Sequence, residues 1–356
     1  MEFINSLFLL AFVLLVPKLK KLYLAPSEAR KKGAPSGSPR LPFGERLTFF
    51  DFAKGIAIIA VILIHSIYLF TAQQQASLIE KFPDYNPYWL DVINNLARFA
   101  VGFFFIASGA LLSTGLTKKK VIKVFIPYIL VSAIVGVSQS KTLDLIAGGT
   151  IRGDLLPPFY FIPVLFQFYL LYPLLDKHRH KKYFLPMTLF VSYAAYAVPS
   201  LAYIAGIPTF GPFLFLFTFG MAYSDKLKSN KPLDIRNLSL VIPIYVGLQL
   251  MLPGHYYNSR FFYAPALFVV LHYVWYKTKS LGNIIFLQTF GKFSLWIYLI
   301  HFSIESFFVN IIKFSFSYSV YLYVLLISVL TTIVSGIGAH ILSKTYQALF
   351  AFQRQA

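Results

Sequence analysis

Long apolar segments, separated by short charged loops, constrain the fold of this chain more than any other feature. Ten such segments follow residue 47, and each ends at charged residues, proline or glycine. Hydrophobic residues make up 57% of the chain and charged residues only 13%. This is too little polar surface to cover a soluble globule, whereas about 20 apolar residues suffice to span a bilayer as a helix. We therefore predict an all-α integral membrane protein, a ten-helix transmembrane bundle.

The predicted spans divide the chain into four regions. Residues 1–17 contain an apolar run without the leading positive charge or the small-residue cleavage site of a signal peptide, so we expect an extra N-terminal helix, spanning or interfacial. Residues 18–46 form a basic linker rich in Pro, Gly and Ser, predicted to be flexible. The ten-helix domain occupies residues 47–346, and residues 347–356 form a short tail. The predicted spans are 48–70, 90–113, 122–138, 159–175, 183–198, 209–224, 238–252, 261–276, 284–310 and 320–345.

Positive charge is distributed unevenly between the two sides of this bundle. Of the 32 Lys and Arg residues, 24 fall in the linker, the tail and the loops after the second, fourth, sixth and eighth spans. The positive-inside rule makes that side cytoplasmic. We thus predict a multi-pass protein of the cell membrane whose linker and C-terminus are cytoplasmic. The net charge of +19 encodes topology and not a nucleic-acid surface, because the basic residues punctuate apolar spans.

The absence of cysteine and of several motifs narrows the possible chemistry. A chain without Cys has no thiolate nucleophile and no cysteine-ligated metal. The sequence also lacks G-x-S-x-G, a P-loop, H-E-x-x-H and G-x-G-x-x-G. We predict no metal site and no bound cofactor.

The first predicted span carries three ionisable residues, Asp51, Lys54 and His65. A charge at membrane depth costs roughly 2.5–3.5 kcal/mol on insertion scales, so such a residue usually faces a cavity or a partner. At about 100° per residue the three share one helix face, and at about 1.5 Å per residue Lys54 and His65 stand about 16 Å apart. Lys54 should lie near the cytoplasmic end and His65 in the outer half.

The second span places Arg98 above Gly102 and Gly109 at helical spacing. Because consecutive spans run in opposite directions, Arg98 and His65 should lie at similar depth in the outer half. Snorkelling to the outer interface is the alternative for the arginine, and plain helix packing is the alternative for the glycines.

A polar stripe runs along the ninth span, where Ser294, Tyr298, His301 and Glu305 follow at steps of four, three and four. The stripe suits proton handling or hydroxyl binding. An interhelical hydrogen-bond ladder that only holds the helix in place is the alternative.

These polar groups leave two classes of function open. Histidine can take and return a proton near neutral pH, and a nearby cation can stabilise an oxyanion, as an enzyme requires. Proton-active residues in a many-helix bundle suit a carrier equally well. A transporter or flippase of a lipid-linked or polymeric glycan is therefore the alternative, and a structural subunit is a further one.

Five segments of the chain resemble motifs of the membrane-bound acyltransferase-3 family. DFAKGIAIIAVILIHS resembles the family's first-helix signature, in which Arg or Lys precedes an essential His by ten intervening residues, usually after an Asp three positions earlier. RFAVGFFFIASGALL, KVFIPYIL, FYFIPVLFQFYLLYPLL and GKFSLWIYLIHFSI are similar to later helices, in the right order. The wording of the first segment looks most like the branch of fucose 4-O-acetylase-like and biofilm-glycan acyltransferases.

The resemblance implies ten core helices and transfer of an acyl group, by default acetyl, from cytoplasmic acyl-CoA to a hydroxyl of a glycan or other envelope molecule such as a lipid. It implies that His65 is the general base, that Arg98 and Lys54 are essential cations, and that Asp51 holds Lys54 or orients the site. Lys54 replaces the commoner Arg and loses its bidentate geometry.

Substrate-binding residues are predicted from charge placement, from the second-helix motif and from the polar stripe. The clustered Lys118, Lys119 and Lys123 at the cytoplasmic mouth suit the phosphates of CoA. Ser108 belongs to the Ser-Gly end of the second-helix motif. The stripe of Ser294, Tyr298, His301 and Glu305 is expected to orient the acceptor or to carry its proton away.

Overall fold

The computed structural model describes residues 48–81, 88–112, 118–204, 206–228, 241–251, 260–278, 284–312 and 319–352. The predicted N-terminal helix and the basic linker lie outside these residues. The described chain is almost entirely helical, as predicted, and its one sheet is a pair of two-residue antiparallel strands, Tyr203–Ile204 and Ile207–Pro208. The α-helices are α1 Thr48–Lys81, α2 Tyr88–Ala97, α3 Phe99–Leu112, α4 Lys118–Ser138, α5 Leu143–Arg152, α6 Phe161–His178, α7 Phe184–Ala197, α8 Pro199–Ala202, α9 Leu214–Ala222, α10 Ser224–Lys228, α11 Val241–Met251, α12 Arg260–Lys277, α13 Ile285–Lys292, α14 Ser294–Ile311 and α15 Val320–Phe352.

Six helical stretches of the described chain are long and apolar enough to cross a membrane: 48–72, 88–112, 120–138, 157–178, 294–311 and 320–349. Three further predicted spans are shorter apolar helices, and the eighth is the 18-residue α12. Every predicted span therefore contains helix, whereas the count of ten membrane crossings stays a prediction. The last helix continues to Phe352, beyond the predicted start of the tail at residue 347.

The surface of the bundle is apolar, as a bilayer requires. Large side chains such as Ile134, Phe190 and Met251 are exposed. Buried polar groups such as Thr331 and Ser335 lie inside the bundle. In a soluble protein, most large apolar side chains face inward, whereas here many face outward. Helices can present such faces to lipid, because they satisfy their own backbone hydrogen bonds.

Backbone contacts at glycine fix two of the helix pairs. A Cβ added to Gly291 of α13 would lie 1.6 Å from the carbonyl oxygen of Asp51 in α1. A Cβ on Gly109 of α3 would lie 2.0 Å from the carbonyl oxygen of Phe217 in α9. Only glycine allows such close approach, so α1 packs on α13 and α3 packs on α9 backbone to backbone. Helix packing is thus the structural role of Gly109.

Candidate active site

A cavity of about 220 Å³ lies among helices α1, α2, α3, α6, α7, α9, α11 and α14. Most of its lining comes from the halves of these helices that the charge distribution predicts to face outward. Its polar lining includes His65, Arg98, Asn95 and Gln249. Its aromatic lining comprises Phe104, Tyr160, Phe161, Tyr196, Phe213, Tyr245 and Tyr298. A half-buried histidine and an exposed arginine therefore share one aromatic-walled cavity.

His65 enters this cavity from α1. Its side chain is half-buried, and its Nδ1 is buried without a hydrogen-bond partner among the described residues. The His65 ring lies 5.3 Å from the ring of Phe302 and 5.4 Å from the ring of His301, measured between ring centroids. An aromatic side chain thus supports the imidazole, and a second imidazole stands next to it.

The hydrogen bonds of His301 define which of its nitrogens can accept a proton. Its Nδ1 lies 2.8 Å from the carbonyl oxygen of Tyr298 and 3.1 Å from that of Ile297. A carbonyl only accepts, so Nδ1 carries the hydrogen and Nε2 is left with its lone pair. That Nε2 is buried and has no hydrogen-bond partner in the described part of the chain. His301 therefore presents an unprotonated nitrogen in the neighbourhood of His65.

Arg98 occupies a break in the second span, which the sequence does not reveal. Helix α2 ends at Ala97 and α3 begins at Phe99. The Arg98 backbone N–H bonds to the Asn95 carbonyl at 3.3 Å, and the hydroxyls of Tyr245 and Tyr263 donate to the carbonyls of Asn95 and Leu96. These bonds satisfy backbone groups that the break exposes, which is the condition for irregular backbone at membrane depth. The break places Arg98 in the lining of the cavity.

The polar stripe of α14 separates into distinct roles. Tyr298 lines the cavity, and His301 stands behind His65. Glu305 is fully buried and accepts a hydrogen bond from Ser66, which in turn accepts one from Ser328 at 2.9 Å. Glu305 thus links α14 to α1 and α15. The remaining predicted residues, Ser294 and Ser108, do not line the cavity.

Asp51 and Lys54 form an ion pair at the other end of α1. The Lys54 Nζ lies 3.0 Å from the Asp51 Oδ1, and the side chains are 21% and 7% exposed. Neither residue lines the cavity. The structure therefore keeps this pair apart from His65, as the spacing along one helix predicts.

A basic cluster forms at the predicted cytoplasmic side from residues of three distant parts of the chain, of which Lys120 lies at the start of α4 and Lys228 ends α10. Lys120 and Arg179 both act electrostatically on Lys228, which Asp225 offsets only in part. Arg179 lies 3.5 Å from Asp176 through its Nε, while its Nη1 is buried without a hydrogen-bond partner among the described residues. Burial and, to a smaller extent, the two neighbouring cations together lower the pKa of Lys228 to about 8, although Asp225 raises it. Of the predicted lysines, Lys123 is exposed, and the side chains of Lys118 and Lys119 lie outside the described part of the chain.

The sequence does not identify several residues of the cavity and of the basic cluster. Asn95 follows Asn94 and Gln249 is a single amide, both within apolar segments, and neither belongs to a motif. Arg179 and Lys228 belong to loops that sequence analysis uses only for topology. A search for buried amides within predicted spans is the signal that could have found the first two.

A helical bundle with an apolar surface and a cavity lined by a half-buried histidine and an exposed arginine defines an integral membrane protein with a polar site. A family model described as an acyltransferase domain matches residues 47–340, which is most of the chain. The chain belongs to this family, acyltransferase-3, and is accordingly a multi-pass membrane acyltransferase. Neither the comparison with curated proteins nor that with solved structures gives a match.

Proposed function

We propose that the protein is an O-acyltransferase that moves an acyl group, acetyl by default, from cytoplasmic acyl-CoA to a hydroxyl of a glycan or other cell-envelope molecule. The observation that carries the proposal is that His65 and Arg98 line one cavity, in a chain of an acyltransferase family. A base and a cation at one site are the two groups that acyl transfer to a hydroxyl needs.

In the proposed reaction, His65 takes the proton of the acceptor hydroxyl as its oxygen attacks the thioester carbonyl. Arg98 faces the negative charge that develops on the carbonyl oxygen. Collapse of the tetrahedral intermediate breaks the carbon–sulfur bond, and the CoA thiolate takes the proton from the His65 imidazolium. The products are the ester and CoA, and the imidazole is neutral again.

We propose His301 as a second proton-handling group and Glu305 as a positioning residue. The unprotonated Nε2 of His301 and its 5.4 Å ring separation from His65 support the first role. The hydrogen bonds that join Glu305, Ser66 and Ser328 support the second, because Ser66 follows His65 directly.

We place the donor at the cytoplasmic end. The basic cluster brings together Lys120, Arg179 and Lys228 from three distant parts of the chain. These cations, together with the predicted Lys118, Lys119 and Lys123, suit the phosphates of CoA. The Asp51–Lys54 pair lies at the same end, on the predicted path of the thioester towards His65.

The test measures CoA release from acetyl-CoA by the purified protein in lipid, with and without crude envelope glycan. Wild type should release CoA faster when glycan is present, and His65→Ala should lower kcat by about 100- to 10,000-fold. His340→Ala is the matched control, because His340 is exposed on α15 and does not line the cavity.

The same assay separates the proposal from the alternative. A glycan carrier releases no CoA, so the absence of release from wild type, with no binding of acetyl-CoA by calorimetry, would favour a transporter. Full activity of a folded His65→Ala protein would remove His65 from the reaction.

A further inference from the structure

Two buried amides line the cavity at positions that the proposed reaction does not use. Asn95 comes from α2, three residues before Arg98, and Gln249 comes from α11. Asn95 is 3% exposed and Gln249 is 1% exposed. Both therefore sit inside the bundle, in the wall that also holds His65 and Arg98.

Each amide keeps one polar atom without a partner. The Asn95 Nδ2 and the Gln249 Oε1 are buried, and neither has a hydrogen-bond partner among the described residues. Buried polar atoms in proteins are nearly always hydrogen-bonded, and the exceptions cluster where a ligand supplies the bond. A donor and an acceptor thus lie unused in the lining of one cavity.

The orientation of α11 shows that Gln249 is directed inward by the fold. Tyr245 and Gln249, one helical turn apart, are buried, whereas Ile244 and Leu248 on the other faces are exposed. Tyr245 stacks on Tyr263 at 4.1 Å and donates to the carbonyl of Asn95. These contacts hold the polar face of α11 against the break in the second span.

The size and walls of the cavity limit what can occupy it. Its volume of about 220 Å³ is below the range of about 300–1,000 Å³ that is usual for pockets of drug-sized ligands. One sugar ring fits this scale, and a longer glycan must extend from the mouth. Aromatic side chains such as Tyr160 and Tyr196 provide apolar walls on which the C–H face of a sugar can pack.

We propose that Asn95 and Gln249 bind a hydroxyl of a single sugar ring, adjacent to the hydroxyl that is acylated, and thereby select the acceptor. A hydroxyl both donates and accepts, so it satisfies the Gln249 oxygen and the Asn95 N–H together. The inference rests on the proposed function, and it specifies the acceptor as a diol-bearing ring held next to His65.

The test uses methyl glycosides as acceptors. A panel of methyl pyranosides and their monodeoxy analogues is presented to the wild-type protein in lipid with acetyl-CoA, and ester formation is measured. For the best acceptor, wild type should lose roughly 10- to 100-fold in kcat/KM when a hydroxyl next to the acylated one is replaced by hydrogen. In Gln249→Leu the parent and deoxy acceptors should react equally, because the group that reads the hydroxyl is gone.

Two further variants complete the design. Gln249→Glu and Asn95→Asp keep the shape of each side chain, and each should change the preference for the deoxy analogue without loss of folding. Gln347→Leu makes the same replacement as Gln249→Leu at an exposed position of α15 that does not line the cavity, and it should discriminate as wild type does.

Two outcomes would overturn the inference about Asn95 and Gln249, and a third would overturn the proposed function. Equal discrimination by wild type and Gln249→Leu would overturn the inference. CoA release with envelope glycan but with none of the glycosides would overturn it also, while the proposed function stands. No release with any acceptor would overturn the proposed function itself.

Discussion

The two ends of α1 are built in opposite ways. At the predicted cytoplasmic end, the backbone of Asp51 lies against Gly291. Gly55 packs equally closely on Leu287, because a Cβ added to Gly55 would lie 2.0 Å from the Leu287 carbonyl oxygen. At the outer half, Val61, Ile64 and His65 face a cavity. The same helix is thus clamped near its start, at residues 51–55, and borders a cavity near its middle, at residues 61–65, which we call the open end.

This difference shows how a membrane bundle can hold a helix in place and still leave a cavity beside His65. Close glycine contacts hold α1 rigidly through van der Waals packing, which is the main source of helix association in lipid. Next to the cavity, the Phe302 ring and the hydrogen bonds of Ser66 to Glu305 and Ser328 also hold α1. Changes at the clamped end should act on folding, whereas changes at the open end should act on catalysis.

The largest effect is expected at the clamp. Gly291→Ala places a methyl group 1.6 Å from a backbone oxygen, so α13 must move away from α1. We expect a loss of about 3 kcal/mol in the free energy of unfolding, measured as a lowered melting temperature in detergent micelles.

A matched glycine in α11 serves as the control for this prediction. A Cβ added to Gly247 meets nothing within 4 Å among the described residues. Gly247→Ala should change the free energy of unfolding by less than about 1 kcal/mol. Equal melting temperatures for Gly291→Ala and Gly247→Ala would contradict the clamp.

The next effect is expected at the open end, where Arg98 occupies the helix break. Arg98→Ala removes the positive charge that we propose faces the developing oxyanion, and kcat should fall by about 100- to 1,000-fold while the melting temperature stays near wild type. Arg152→Ala is the matched control, because Arg152 pairs with Asp154 at 2.6 Å and does not line the cavity. A large loss of stability with normal kcat would make Arg98 a structural residue.

The cavity also shows how much of the candidate site can be predicted from the sequence. Helical periodicity and opposite span directions put His65 and Arg98 at one depth, and the structure brings both to one cavity. The sequence does not predict the helix break at Arg98. The carbonyls of Asn95 and Leu96 that precede it are satisfied by Tyr245 and Tyr263, which lie 150 and 167 residues farther along the chain. Asn95, Gln249 and the Ser66–Glu305 bond likewise depend on contacts between distant helices, which no local pattern encodes.

A smaller effect is expected behind His65. His301→Gln removes the unprotonated nitrogen next to the base, and kcat should fall by about 10-fold, less than for His65→Ala. The KM for acetyl-CoA should stay within roughly two-fold, because His301 is remote from the predicted donor site.

The control for His301 is His272→Gln. His272 is also fully buried, and its Nε2 lies 3.2 Å from a backbone carbonyl, but it does not line the cavity. A fall in kcat of the same size in His272→Gln would show that loss of any buried histidine disturbs the bundle, and would remove His301 from proton handling.

The smallest effect concerns the basic cluster at the clamped side. Because burial lowers the pKa of Lys228 to about 8, its ammonium group loses the proton as the pH rises through 8, far below the usual range of lysine. If Lys228 binds a phosphate of the donor, kcat/KM for acetyl-CoA should fall by roughly three- to ten-fold between pH 7 and 9. In Lys228→Arg this fall should disappear, since guanidinium stays charged. Lys226→Arg, at an exposed neighbour, should keep the wild-type profile, and a wild-type profile in Lys228→Arg would place the donor phosphates elsewhere.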